Sequence, residues 1–589
     1  MAENYELCYR PKYRGEKGEW QPNELREPQP ESIRQVIKIL RDGALDGIGT
    51  ARGALLGDEQ GLGKTATAII AVYTLRNLVG GYRRILVVAS KNLLPVWKAE
   101  IERWQASPDL VITLKDGHSI NPDTVKCGWL LVSYDTVGRY FPPVRRSQMP
   151  PFDLLITDEI QHFKEPSIKR TKMVYGGKYH REVVAPIPAK NAICLSGTPV
   201  KNRIEEIHTA LHYLDPTRWP DRKPFVDQHY EKGYLVDNKG RVTGATRNLD
   251  PLRNTLRSTI LVRHRKDGIL LPKRYERIYL GLNDLGERSL FEDFANGRLG
   301  IRIVNGKLRV ALRERDWKAY RRFKDELNRK QAKMREMTGH AKYAPLLKYL
   351  RNKARTTQDK FVVFLHHDEI IQDLAENLRG EGYGCVTLTG DTKDSRVPRQ
   401  IFKQAGCRFF IGNLQAAGVG ITLIESSHCI FGEIPWTPAE WMQAQDRLHR
   451  FGQDREVNIT TFLLWEGYDA EMFDAVESKT RTLRHTLDHD WNTQLQHLPN
   501  WRSSFRSLPA VAFDEVFALI SHAMLNRNAT GERLHAFQVA VRNRLAVIEE
   551  PIQSLDRHVA VHFLEYIQEA GDTLVVSRVQ TKRPLVRGQ

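Results

Sequence analysis

The sequence predicts an α/β protein made of two lobes of parallel sheet flanked by helices, with a helical insertion between them and a small helical C-terminal domain. Three observations predict it. Short apolar runs recur, each closed by a polar or glycine-rich loop: GALLGD, RRILVVAS, GWLLVSY, DLLITDE and AICLSGT, then KFVVFLHH, CVTLTGD, RFFIGN, HCIFGE and NITTFLL. Helix-compatible segments follow many of these runs, the pattern of parallel strands buried on both faces and joined by helical crossovers. The chain of 589 residues also exceeds what a single core can organise. The two groups of runs set the expected boundaries: an N-terminal extension over 1–24, a first lobe over 25–220, a helix-rich insertion and linker over 221–341, a second lobe over 342–502 and a helical C-terminal domain over 503–589.

Composition narrows the function classes. The hydrophobic fraction of 41% and charged fraction of 27% are those of a globular protein. No apolar run approaches the roughly 18 residues that a membrane span needs, and the polar start MAENYELCYRPKYRGEKGEW has no apolar core of a secretory signal. No membrane partner is therefore expected. The net charge of +18 favours a polyanion, with nucleic acid the default. The six cysteines are scattered with no C-x-x-C pair, which suits thiols in a reducing compartment, cytoplasmic or nucleoid-associated. The donors of HHDE (His366–Glu369) are adjacent on a strand end, where neighbouring side chains diverge, so they are not expected to chelate a metal.

The strongest chemical signal is ALLGDEQGLGKTATAIIAVYTL, an apolar strand, a glycine-rich loop and a helix in that order. Asp58 takes the first position of the usual G-x-x-x-x-G-K-[ST] loop, but Gly61 and Gly63 remain. Glycines let the backbone wrap an anion with its N–H groups turned inward. Lys64 is expected to neutralise the β- and γ-phosphates of ATP, and Thr65 to offer a hydroxyl to Mg²⁺. LLITDEIQHFKE supplies the complement: Asp158 as the second Mg²⁺ contact, through water, and Glu159 as the residue that polarises the attacking water. In WMQAQDRLHRFGQ, Arg447 and Arg450 stand three apart, so on a helix they share one face and can grip a phosphate from the second lobe. The charged stretch Arg313–Met337 reads as a solvated helix or one facing phosphates. Beyond Ser503, FDEVFALISHAMLN and RHVAVHFLEYIQEA show helical apolar spacing, with docking of a protein partner, clamping of DNA and bracing of the second lobe all open as tasks.

These motifs together resemble those of the Swi/Snf ATPases, helicase-like double-stranded DNA translocases of superfamily two. LREPQ (Leu25–Gln29) is similar to the family's adenine-reading motif, with Gln29 as the reader; DEQGLGKT, ILVVASKNLLPVWKAEIERW, VSYDT, DEIQHFK and LSGTPVKNRIEEIHTALHYLDP resemble its next motifs in order. LVRHRKDGILLPK resembles the basic segment before the second lobe, and NLQAAGVGITLIESSHCIFGEIPWTPAEWMQAQDRLHRFGQ resembles its last two motifs. The resemblance runs from Leu25 to Leu464, and EIPWTP…QAQDRLHRFGQ looks closest to the branch of annealing helicases and fork-remodelling enzymes. It implies two RecA-like lobes, DNA-stimulated ATP hydrolysis with Mg²⁺, and movement on duplex DNA in a repair, replication, phage or defence setting. It also implies DNA contacts at Lys91, Thr198 and Trp436. Gln161 stands where the family often has a histidine that relays nucleotide state to SGTP; glutamine keeps the hydrogen bonds but cannot become cationic. An RNA-directed helicase and a non-hydrolysing scaffold are the competing expectations.

Overall fold

The computed structural model describes 24–488, apart from 47–48, 106–108, 115–123, 180–181, 238–240, 267–268, 281–288, 393, 395, 415–420 and 465–467, and before that residue 7, 12–14 and 20–22. The expected C-terminal domain over 503–589, its proposed partner contacts and most of the N-terminal extension lie outside the described residues.

Two parallel sheets organise the chain. The first has seven strands in the order Leu261–Val262, Gly53–Leu56, Ala189–Leu195, Phe152–Asp158, Arg84–Ala89, Gly128–Ser133, Val111–Thr113. The second has six: Lys273–Leu280, Val457–Leu464, His428–Phe431, Phe361–Leu365, Cys407–Asn413, Gly384–Leu388. Every ladder in both is parallel. Successive residues of Gly53–Leu56 explain why these runs do not alternate in hydropathy. Leu55 enters one core, with Leu86 and Leu155, while Ala54 and Leu56 enter another, under the helix Lys64–Val79. A strand buried on both faces needs apolar residues at every position.

The stretch 221–341, expected as insertion and linker, supplies a strand to each sheet: Leu261–Val262 pairs with Leu55–Leu56, and Lys273–Leu280 pairs with Val457–Leu464. The chain therefore passes from one sheet to the other within ten residues. Two long helices follow, Ser289–Arg313 and Trp317–Thr356, the second of 40 residues, or about 60 Å at helical rise. Asp316 caps the second by accepting from the N–H groups of Lys318 and Ala319. Arg321, Arg322, Arg329 and Lys333 are exposed on it, so the basic stretch is largely a solvated helix. Near its start the Tyr320 hydroxyl donates to Asp237, within the same stretch 221–341.

No described helix is long and apolar enough to cross a membrane. Two of the HHDE side chains, His367 and Asp368, have partners in the fold. Glu433 accepts from the backbone N–H groups of His366 and His367 and pairs with the His367 ring at 2.6 Å, which holds its carboxyl down at about 2 despite burial, and Asp368 accepts from Asn413.

Candidate ATP site at the lobe interface

The phosphate loop starts where the Gly53–Leu56 strand ends. Its glycines are required by geometry. Gly61 and Gly63 both have positive φ (+90° and +81°); a Cβ on Gly61 would stand 2.9 Å from Arg450 Cγ, and one on Gly63 would stand 2.4 Å from Gln29 Nε2. Gly197 of the SGTP turn is equally confined, 2.4 Å from Gln60 Cγ and 3.1 Å from Lys64 Nζ by the same measure. Three separate motifs thus close on one loop.

Asp58, where the usual loop has glycine, is an anchor. One carboxylate oxygen accepts from the Ser32 hydroxyl at 2.6 Å, and the other from the His264 backbone N–H at 2.8 Å. It ties the helix Gln29–Asp42 and the linker to the loop. Gln29 lies against the loop, with its amide oxygen accepting from Arg26 N–H and its Nε2 at 3.4 Å from Gly63 O.

Lys64 donates to the carbonyls of Asp58 and Glu59 at 2.9 and 3.3 Å. Burial pulls its pKa below the usual lysine range, an effect that Glu159, Asp58 and Asp158 oppose. A phosphate would supply the charge compensation that burial withholds. Thr65 follows in the first turn of the helix. Gln60 keeps both amide atoms buried with no partner among the described residues. A glycine-framed loop, a buried lysine and unmatched polar atoms fit a phosphate-bearing ligand.

Asp158 ends the Phe152–Asp158 strand. Trp97 Nε1 donates to one of its oxygens at 2.8 Å, and the Glu159 backbone N–H donates to the other at 2.9 Å. Burial first, then the adjacent Glu159, pushes its carboxyl up to about 7. Glu159 has φ +52°, rare for a residue with a side chain. That turn swings its carboxylate out of the strand line toward the arginines of the second lobe. Such strain persists where the surroundings over-determine it, and it concentrates at functional sites.

Gln161 is the next link. Its Nε2 donates to Glu159 Oε2 at 2.6 Å, and its Oε1 accepts from the Ser196 hydroxyl at 2.7 Å. Ser196 Oγ accepts from Thr198 N–H at 3.0 Å, and Thr198 Oγ1 accepts from Gln443 Nε2 of the second lobe at 3.4 Å. An unbroken hydrogen-bonded chain therefore runs from the acid at the loop, through SGTP, to the helix Pro438–Gln445. His162 turns away, 5.4 Å from the Tyr134 ring.

Arg447 and Arg450 reach the same place from the second lobe. Arg450 passes over Gly61, with its Nε donating to Asp446 O at 2.7 Å and its Nη1 to Thr422 Oγ1 at 3.3 Å. Burial, then the neighbouring Arg450, lowers the Arg447 pKa to about 9, and Glu159 opposes the shift. Two buried guanidiniums side by side are unfavourable until an anion stands between them.

The segment LVRHRKDGILLPK, flagged in sequence without residue roles, proves to be built into the site. Gly57 N–H donates to Val262 O, Glu59 N–H to His264 O, and Lys266 N–H to the Glu59 carboxylate. The linker thus continues the strand pairing alongside the phosphate loop. Buried Arg263 donates to the carbonyls of Gly57 and Gly197 and grips Asp488, just past the helix Asp469–Leu487. Of the expected DNA contacts, Lys91 is exposed in the turn after Arg84–Ala89, Thr198 is buried at the lobe interface, and Trp436 is 38% exposed with the Arg335 guanidinium 4.3 Å from its ring centroid.

Fold and site define a class: an ATP-binding phosphate-loop domain and a second parallel lobe whose Arg450 lies over that loop. Residues 48–360 match the SNF2-related domain and residues 341–452 the helicase conserved C-terminal domain. The chain belongs to the SNF2-related family of helicase-like ATPases. It is similar to the SWI/SNF-related matrix-associated actin-dependent regulator of chromatin subfamily A-like protein 1 of Xenopus laevis, at 25% identity over 77% of this chain and 44% of the relative. It is also similar to the human DNA annealing helicase and endonuclease ZRANB3, at 26% identity over 78% of this chain and 41% of the relative. The chain thus spans less than half the length of these two relatives. Among solved structures, the Sulfolobus solfataricus SWI2/SNF2 ATPase core in complex with dsDNA aligns over 80% of this chain and 98% of its own, at 16% identity and a TM-score of 0.36.

Proposed function

We propose that the protein is an ATP-driven translocase on double-stranded DNA, which hydrolyses ATP to move along or remodel the duplex. The observation that carries this reading is the split site: the phosphate loop and Glu159 lie in one lobe, while Arg447 and Arg450 reach them from the other. Hydrolysis in such a site requires lobe closure, so each turnover is also a relative movement of two bodies. In this reading Gln29 would read adenine, the loop from Gly61 to Lys64 would hold the phosphates, and Thr65 and Asp158 would hold Mg²⁺, whose charge would offset that of the phosphates. Glu159 orients the attacking water, and the two arginines stabilise the charge that develops on the γ-phosphate.

Duplex DNA is the polymer of choice for three reasons. The chain carries a net charge of +18, it belongs to the SNF2-related family, and its two similar curated relatives are named for chromatin regulation and DNA annealing. In this reading Lys91 and Trp436 meet the DNA backbone, and Thr198 transmits that contact inward. The test is ATP turnover measured without polymer, with duplex DNA, with single-stranded DNA and with RNA. Stimulation by duplex DNA, lost steeply as salt rises, is expected. Stimulation by RNA alone, or no hydrolysis in any arm, would overturn the reading.

The chain from Glu159 through Gln161 to Thr198 makes a second expectation. Gln161→Ala should leave polymer-free turnover within about threefold of wild type and lower duplex-stimulated turnover by about tenfold or more, the scale of one or two lost buried hydrogen bonds. Equal loss in both assays would make Gln161 part of the chemistry rather than of the coupling.

A further inference from the structure

The linker carries a cation whose position the hydrolytic site itself does not explain. Lys266 is 3% exposed. Its backbone N–H is bonded to Glu59 at 3.0 Å, so its main chain rides on the first lobe beside the phosphate loop. Its side chain crosses into the second lobe, where Nζ stands 2.9 Å from Asp446 Oδ1 and donates to His449 O at 2.8 Å. Asp446 immediately precedes Arg447, and its carbonyl accepts from Arg450 Nε. One ammonium therefore holds the backbone segment that carries both arginines, and it is fixed to the loop those arginines must reach.

We infer that Lys266 is a positioning residue for ATP hydrolysis: it bonds Asp446 and His449 when the lobes are closed and sets Arg447 and Arg450 over the phosphate loop. This rests on the reading of the site as an ATPase. Its neighbour on the same carboxylate sharpens the inference. Lys273 also stands 2.9 Å from Asp446 Oδ1, but it opens a strand of the second lobe's own sheet. On this inference the Lys273 contact, which lies within that lobe, persists when the lobes part, and the Lys266 contact, which crosses from the linker, forms when they meet. The neutral ring of His449, pushed down to about 4 by burial, donates from Nε2 to Leu271 O and fixes the far end of the same segment to the linker.

This arrangement makes Lys266 removable without unfolding. With Lys266→Met, Asp446 keeps Lys273, so no carboxylate is left buried alone. The charged groups around Lys266 are Asp446 and Lys273 in the second lobe, Glu59 in the loop, Arg263 in the linker, and Arg484, which acts on both Glu59 and Lys273. Burial, with Lys273 adding to it, lowers the Lys266 pKa to about 8 against the pull of Asp446 and Glu59. Loss of that proton dissolves the ion pair, so the contact weakens as pH rises through about 8. An arginine in its place stays charged.

The experiment measures kcat and KM for ATP, with saturating duplex DNA, in the wild type, Lys266→Met and Lys266→Arg between pH 6.5 and about 9.5, a window around the two lysine ranges. Lys266→Met is expected to lose about 10- to 100-fold in kcat, the cost of a roughly 1 Å misplacement at a reacting centre, with KM for ATP and the thermal midpoint near those of the wild type. Lys266→Arg should recover most of the rate near neutral pH and move the fall in kcat from about pH 8 to the range near 9, where Arg447 loses its proton. Wild-type kcat in Lys266→Met overturns the inference. So does a loss shared by kcat, KM and the thermal midpoint, which a purely structural lysine would give. If duplex DNA fails to stimulate the wild type, the translocase reading fails; the same comparison on basal turnover still decides the role of Lys266.

Discussion

Arg450→Ala should lower ATP turnover by about 10³- to 10⁵-fold, equivalent to roughly 4–7 kcal/mol of transition-state stabilisation. The expectation rests on where the side chain is held. Its stem lies against Gly61, its Nε is fixed to Asp446 O, and Nη1 is fixed to Thr422 Oγ1. The guanidinium is thus organised before any phosphate arrives, which lets a cation act without reorganisation during the reaction. Arg447 approaches beside it, but burial opposes its charge as well, so loss of Arg450 leaves a weakened partner rather than a spare. Arg450→Lys should recover only part of the rate, because an ammonium keeps the charge and lacks the planar fork. ATP binding should be little changed, since the loop, Lys64 and Thr65 all belong to the other lobe. Single-turnover rates with equilibrium nucleotide binding check this; turnover within about tenfold of wild type in Arg450→Ala would remove it from the arginine-finger role.

Most of the fold was legible because its strands are continuous apolar runs, a pattern local to each strand. The nucleotide loop was legible for a similar reason: strand, glycines, lysine and helix are contiguous. What stayed hidden depends on distance along the chain. Trp97 stands inside a motif, yet nothing local says that its indole donates to Asp158, 61 residues on. Nor does anything local to SGTP say that the Ser196 hydroxyl donates to Gln161, 35 residues back. The basic residues of LVRHRKDGILLPK read as a charge cluster, whereas Arg263 and Lys266 are buried against carboxylates more than 170 residues away. Within 221–341, the strand Leu261–Val262 is two residues long, too short for any periodicity to register. Asp58 looked like a weakened glycine position and is a two-sided anchor.

Glu159→Gln should stop turnover, with a loss of at least about 10²- to 10⁴-fold, while ATP and DNA still bind. The change is close to isosteric, and the surrounding hydrogen bonds show why the geometry should survive it. Gln161 Oε1 is committed to the Ser196 hydroxyl, so Gln161 must offer its N–H to residue 159. A glutamine there can accept that bond through its amide oxygen, which turns its own NH₂ toward the site where water would attack. The link from Gln161 through Thr198 to Gln443 is retained, and only the capacity to take a proton is lost. The variant should therefore close its lobes on ATP and stay closed, with slow release of both nucleotide and duplex. Comparison with Gln161→Ala separates the two halves of the device: one variant keeps the coupling and loses the chemistry, the other keeps the chemistry and loses the coupling. Turnover in Glu159→Gln within about tenfold of wild type would move the water-activating role to another group. A wild-type rate of DNA release in ATP would break the tie between this carboxylate and lobe closure.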